Sequence, residues 1–176
     1  MRKLKNEELN RLDIEDFKTA RKMPLTIVLD NVRSLNNIGS IFRTADAFRI
    51  EGIYLCGITA TPPNKEIHKT ALGATESVNW SYFANTLDAL VELRQKDYLI
   101  VSVEQTDKSI MLNDFIPEQN RHYALIFGHE IKGVHQSIVD NSDISIEIPQ
   151  FGTKHSFNIT VSAGIVLWDL FVKLKF

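Results

Sequence analysis

Three short stretches of this chain gather residue types that do chemistry. The first, NNIGSIFRTAD (residues 36–46), follows the apolar run PLTIVLD. It sets Gly39 where a helix is expected to start and Arg43 within the first turns of that helix. A cation there opposes the partial positive charge of the helix N-terminus, by a few tenths of a kcal/mol to about 1 kcal/mol. Arg43 is therefore either a tolerated surface residue or a group held to meet an anion. The second stretch, IFGHEIKGV, carries Glu130 in a glycine-flanked turn. The third, EIPQFGTKHSFN, carries Ser156 and Asn158 in a loop rich in Gly, Pro and hydrogen-bonding side chains. A plain structural turn needs far less than these loops hold.

Several common site patterns are absent. A dinucleotide fingerprint needs G-x-G-x-x-G after the first strand, and only Gly39 stands there. The phosphate-cradling G-x-x-x-x-G-K-[ST] does not occur. His129–Glu130 opens like H-E-x-x-H, but position 133 is Gly, so a metal is not expected. Ser156 lacks the G-x-S-x-G context of a nucleophile elbow, and its plain role is the N-cap of the C-terminal helix. Glu130 has a plain reading too, as a solvated carboxylate. Singly, Asn37, Arg43, Glu130, Ser156 and Asn158 each read as structural; together at strand-end loops they point to a site.

The elements that must position them alternate along the chain. Strands are expected over residues 25–30, 52–58, 78–83, 98–104, 123–128 and 144–149. Helices are expected over 39–49, roughly 64–72, 86–96, 133–141 and 157–174. Several strands are nearly continuous apolar runs, as in strands covered on both faces. The pattern predicts an α/β fold, a mostly parallel sheet flanked by helices. In such sheets ligands sit outside the carboxyl ends of the strands, where all three stretches fall. Residues 1–23 read as a charged N-terminal extension whose Leu4, Leu9, Leu12 and Phe17 make one or two amphipathic turns. Pro24 marks the boundary with the main domain, residues 24–176.

Composition bounds the partners. With a net charge of −2 the chain is not coated in basic charge, so any phosphate binding must be local. Arg33, Arg43, Arg49, Lys65, His68 and Lys69 cluster in sequence, with Asp46, Glu51 and Glu66 among them. Cys56 is the single cysteine, so no disulfide framework is available, and the N-terminus lacks an apolar secretory signal; a cytoplasmic location is expected. The C-terminal apolar run is broken by Asn158, Asp169, Lys173 and Lys175 and reads as a mostly buried helix, not a membrane span.

Taken in order, the three stretches resemble a known family. NNIGSIFRTADAF is similar to the first signature of the SpoU class of RNA ribose 2′-O-methyltransferases, the TrmH type of the SPOUT superfamily. YALIFGHEIKGV resembles the second signature, and IEIPQFGTKHSFNITVSAGIVLWDL the third, with KTALGATESVNW similar to the linking segment. The resemblance runs from about residue 25 to the end, with Phe157 where Leu is typical and Gln150 where Met is common.

What the resemblance implies is specific. The C-terminal part would be threaded into a deep trefoil knot, a feature composition alone never shows. Val103, Gly128, Ile148, Ser156 and Phe157 would line an S-adenosylmethionine pocket. Arg43 would act on the ribose hydroxyl, positioned by Asn37 and Glu130, while Ser156 and Asn158 order the knot loop or touch the RNA backbone. Arginine stays protonated at neutral pH, so an electrostatic role is favoured, with a strongly perturbed base still open. Arg33, Arg43, Lys69 and Lys154 would meet RNA, tRNA being favoured over rRNA. Many relatives carry an N-terminal RNA-binding domain; here recognition is expected from residues 1–23, the basic residues between 33 and 69, and the second copy of a homodimer. A non-catalytic RNA-binding protein of the same fold is the alternative.

Overall fold

A computed structural model describes residues 1–176, the side chain of Asn6 excepted. Its centre is a seven-stranded sheet in which every paired neighbour runs parallel. The strands are β1 (Met23–Asp30), β2 (Ile50–Cys56), β3 (Trp80–Phe83), β4 (Tyr98–Val103), β5 (Ile110–Met111), β6 (His122–Phe127) and β7 (Ile144–Glu147). They lie side by side in the order β3-β2-β1-β6-β4-β7-β5. The chain builds outward from β1 through β2 to β3, then crosses to the other side, so the order switches between β1 and β6. Val28 of β1 stands opposite Tyr54 on one side and Ile126 on the other.

β1 shows why the strand sequences are apolar throughout. Leu25, Ile27 and Leu29 face one layer, with Ile38, Ile41 and Phe42 of α2 (Leu35–Ala47) and Ala163, Val166, Leu167 and Leu170 of α7 (Ile159–Lys173). Val28 faces the other, with Ala89, Leu90 and Leu93 of α5 (Thr86–Gln95) and Ile138 of α6 (Gln136–Val139). Alternate residues thus feed two cores, and the buried polar residues of β1, Thr26 and Asp30, are both hydrogen-bonded. Cys56 lies in the second core, where burial pushes its thiol up to about 12 and leaves it a neutral packing group.

Two local differences from the sequence expectation bear on the site. The first concerns α2, which begins at Leu35 with Ser34 as its N-cap accepting from the Asn37 N–H at 3.3 Å. Gly39 is therefore inside the helix and is no turn residue. A Cβ at Gly39 would stand 2.1 Å from Thr70 Oγ1 and 2.3 Å from the Ile67 carbonyl oxygen, both in α3 (Lys65–Ala71). The glycine serves close helix approach. Arg43 is accordingly the ninth of thirteen helical residues and meets no N-terminal dipole charge, which corrects the expectation that it is a dipole misfit.

The second difference is at α7, whose N-cap is Asn158, accepting from the Thr160 N–H at 2.9 Å, and not Ser156. The helix expected over 133–141 shrinks to α6 because Gly133 has φ of +68°. The N-terminal extension is only partly an appendage. Its α1 (Ile14–Thr19), capped by Asp13, inserts Phe17 into the first core at 5% exposure, and Met23 already belongs to β1. Among the described residues no helix is long and apolar enough to cross a membrane.

Candidate active site

At the carboxyl ends of β4, β6 and β7 the chain encloses an open cavity of about 530 Å³, within the range of small-molecule sites. Val103, Gly128, Ile148, Ser156 and Phe157 all line it. The loop after β6 folds back on itself: His129 N–H donates to the Gly133 carbonyl at 3.0 Å, and Gly133 N–H returns a bond to His129 at 2.8 Å. A Cβ on Gly128 would fall 2.1 Å from Gly133 C and Val134 N, so only glycine permits this closure.

Two residues that the sequence reading missed hold the loops in place. Glu104, just past β4, accepts from the Val134 N–H at 2.9 Å through Oε2 and from the Gln105 N–H at 2.9 Å through Oε1. Gln105 Nε2 donates to the His155 carbonyl at 3.0 Å, fastening the loop before α7. Both line the cavity. Their signal is positional: they follow the carboxyl end of an apolar strand, where ligands collect.

Of the five residues expected together, Asn37, Glu130 and Asn158 are joined by hydrogen bonds. Glu130 accepts from the backbone N–H of Ser34 at 2.9 Å and of Arg33 at 3.2 Å, and from Asn37 Nδ2 at 3.0 Å. Asn158 Nδ2 approaches Asn37 Oδ1 at 3.4 Å, joining the N-terminus of α7 to that of α2. The carboxylate thus sits where α2 offers free N–H groups and partial positive charge. Burial works to raise the Glu130 carboxyl. The bonds from its own backbone, Ser34, Arg33 and Asn37 outweigh that, so it lies below the usual carboxylate range.

Arg43 is not part of this cluster. Six residues along α2 carry it about 9 Å from Asn37 and about a third of a turn around the axis. It is exposed, and among the described residues its side chain has no hydrogen-bond or ion-pair partner. It lines a separate cleft of about 630 Å³, with Arg11, Asp13 and Phe17 of the N-terminal segment and Asp46 and Arg49. The expectation that Asn37 and Glu130 position Arg43 is therefore corrected within one chain: the helical repeat turns them to different faces. Of the other cations, Arg33 is exposed beside Glu130, Lys69 is exposed on α3 with Glu66 at 3.9 Å, and Lys154 is exposed in the loop before α7. Ser156 is exposed at the cavity and makes no hydrogen bond among the described residues. Among the described residues no group of three or more His, Cys, Asp or Glu is placed to hold a metal ion.

The cavity thus offers apolar walls, close backbone approach and an ordered polar rim, suited to holding a nucleoside-like molecule beside a second reactant. Known proteins are similar in sequence and in fold. The chain is 29% identical over 159 residues to 23S rRNA (guanosine-2'-O-)-methyltransferase RlmB of Neisseria meningitidis serogroup B, covering 90% of this chain and 62% of that protein. An AdoMet-bound rRNA methyltransferase from Sinorhizobium meliloti superposes with a TM-score of 0.80 at 27% identity, covering 88% of this chain and 58% of that one. The A. aeolicus TrmH/SpoU tRNA modifying enzyme gives 0.79 at 25% identity, covering 92% and 80%. The chain spans about three fifths of the length of the first two. The model of the SpoU rRNA Methylase family matches residues 24–168, and the chain belongs to that family.

Proposed function

We propose that this chain is an S-adenosylmethionine-dependent methyltransferase that methylates a ribose 2′-hydroxyl of tRNA or rRNA, with tRNA favoured. The observation that carries the reading is a convergence. One cavity is lined by all five residues assigned to the cofactor, and the Asn37–Glu130–Asn158 cluster stands at its edge. The fit to the cofactor rests on the close backbone approach at Gly128, beside which Val103, Ile148 and Phe157 also line the cavity.

The bound cofactor would supply an electrophilic methyl group; the chain's residues do the rest. Glu104, Gln105 and Glu130 fix the two loops, so that the ribose oxygen meets a preset geometry. Ser156 and Asn158 present hydroxyl and amide groups to the RNA backbone at the cavity mouth. Arg43, a cation throughout the neutral range, grips the adjoining phosphate and stabilises negative charge as the hydroxyl gives up its proton. Arg33, Lys69 and Lys154 add phosphate contacts that position without specifying sequence.

The reading includes a homodimer. Its support is that Arg43 lies apart from the cavity of its own chain, and that α7 leaves Val161, Trp168 and Val172 exposed by 47%, 58% and 55%. It includes the trefoil threading, supported by the likeness of the whole sheet to solved family members. It places residues 24–176 as the catalytic unit, residues 1–23 as an RNA-contacting extension, and the work in the cytoplasm.

The test is transfer of labelled methyl from S-adenosylmethionine to total tRNA and to rRNA, read as 2′-O-methyl nucleotides. Label on either RNA is expected. Folded protein that binds the cofactor yet labels neither would overturn the reading, and no cofactor affinity by calorimetry would restore the non-catalytic alternative. Mapping 2′-O-methyl sites lost in a deletion strain identifies the nucleotide.

A further inference from the structure

Asp30 is a buried carboxylate that does not line the cavity. It ends β1 and is only 2% exposed. Burying a charge is costly unless donors surround it, and here three do. Oδ1 accepts from Thr86 Oγ1 at 2.6 Å and from Asn31 Nδ2 at 2.9 Å. Oδ2 accepts from the His135 backbone N–H at 3.0 Å. His135 is the N-cap of α6 and stands two residues past Gly133, the end of the stretch that walls the cavity from Gly128.

The sheet order explains the grip. β6 lies between β1 and β4, and each neighbour places a carboxylate at its carboxyl end. Glu104, past β4, takes the Val134 N–H at 2.9 Å, and Asp30, at the end of β1, takes the next N–H along the chain. The loop is thus stapled from both sides at consecutive residues. A Cβ on Gly128 would fall 2.1 Å from Val134 N, so the two ends of the loop meet with no slack at this staple. The place is also the switch between β1 and β6, where open parallel sheets ordinarily admit a ligand. Here Asp30 accepts from the chain's own backbone.

We infer that Asp30 is a positioning residue for the cavity: it fixes the end of the loop after β6, so that the wall from Gly128 to Gly133 is set before a ligand enters. The inference rests on the cofactor reading and deepens it. A wall already in place spares the ligand the cost of ordering it, and apparent affinity falls with the fraction of chains in which the wall is formed. A merely structural Asp30 would add to global stability and leave the affinity of the folded chain alone.

The donor can be removed without touching the carboxylate. His135 has φ of −60°, a value that proline adopts, so His135→Pro deletes the N–H. His135→Ala deletes the same ring, with its cap on the Ser137 N–H, and keeps the His135 N–H. Calorimetry with S-adenosylmethionine should find His135→Pro about tenfold weaker than His135→Ala, in line with a hydrogen bond to a charged group. Asp30→Ala should weaken binding by a similar factor. In both, turnover at saturating cofactor should change far less than affinity, a split that loss of global stability does not produce. Affinity in folded His135→Pro equal to that of His135→Ala, or in folded Asp30→Ala equal to that of wild type, overturns the role. Where neither folds, amide exchange of the wild type decides. The His135 amide must exchange more slowly than those of the exposed loop 151–155, and equal rates overturn the role. Wild type that binds no S-adenosylmethionine would overturn the cofactor reading, while slow exchange at His135 would still uphold the grip of Asp30 on the loop.

Discussion

Asn37 Nδ2 donates to Glu130 Oε1 at 3.0 Å, tying the first turn of α2 to the loop after β6 across 93 residues of sequence. With the Ser34 and Arg33 N–H groups on the same carboxylate, one side chain fixes how the loop that closes at Gly128 meets the helix that carries Arg43.

This contact is titratable. The Glu130 carboxyl lies lower in the folded chain than in the unfolded one, so it adds stability above the unfolded value, about 4.3. That contribution is lost as pH falls through the lower folded value. Glu130→Gln should lower the thermal midpoint at pH 7 by about 2–4 °C. This corresponds to about 1 kcal/mol after discounting for the exposure of Glu130 to solvent. At pH 3 the gap between variant and wild type should narrow. A gap that widens on acidification would show that the ionised carboxylate is not the stabilising form.

Arg43 lies outside the cavity of its own chain, so under the proposed function its activity would depend on assembly. Arg43→Ala should abolish methyl transfer while leaving calorimetric affinity for S-adenosylmethionine intact. Mixed and re-equilibrated with Ser156→Ala, it should recover activity, because a mixed dimer keeps one intact pairing of Arg43 with a partner cavity. Random mixing of a symmetric dimer sets the ceiling at about a quarter of wild-type sites. No recovery in a demonstrated mixed dimer would place Arg43 and the cavity of one chain in the same reaction.

Glu104 should act on cofactor binding more than on the chemical step. Glu104→Gln replaces one acceptor oxygen with a donor, so either Val134 or Gln105 loses its bond. The loss should weaken S-adenosylmethionine by about tenfold, in line with a hydrogen bond to a charged group. The turnover number at saturating cofactor should change far less. An equal fall in both would mean that Glu104 contributes in the transition state.

Much of this arrangement is legible in the sequence because it depends on local chemistry. The apolar runs locate six of the strands to within a few residues, since a strand buried on both faces admits little else. β5 escapes notice because Ile110 and Met111 are too short a pair to show a period, and both are exposed. Glu130, Asn37 and Asn158 stand out through their loops, but the face on which Arg43 lies depends on where α2 begins. That start is set by Ser34, whereas Gly39 suggests a later one. Glu104 is opaque for another reason: its long-range partner is the backbone N–H of Val134, 30 residues away, and backbone partners leave no sequence pattern.

Gly39 supplies the sharpest test of the packing that aims α2. Alanine is ordinarily preferred to glycine inside a helix by about 1 kcal/mol. At Gly39 the added methyl would meet the Ile67 carbonyl oxygen at 2.3 Å, a backbone atom that cannot swing aside. Gly39→Ala should therefore destabilise the chain, by about 1–3 kcal/mol as overpacking does, read from urea midpoints. Gly164 in α7 is the control within one chain, because nothing of that chain lies within 4 Å of the position its Cβ would take, and light scattering checks that both variants keep the mass of the wild type. Gly164→Ala should leave stability unchanged or raise it by up to about 1 kcal/mol. If Gly39→Ala behaves like Gly164→Ala, α2 and α3 do not approach as closely as the helix register requires, and the line from Ser34 through Asn37 to Glu130 is set by something else.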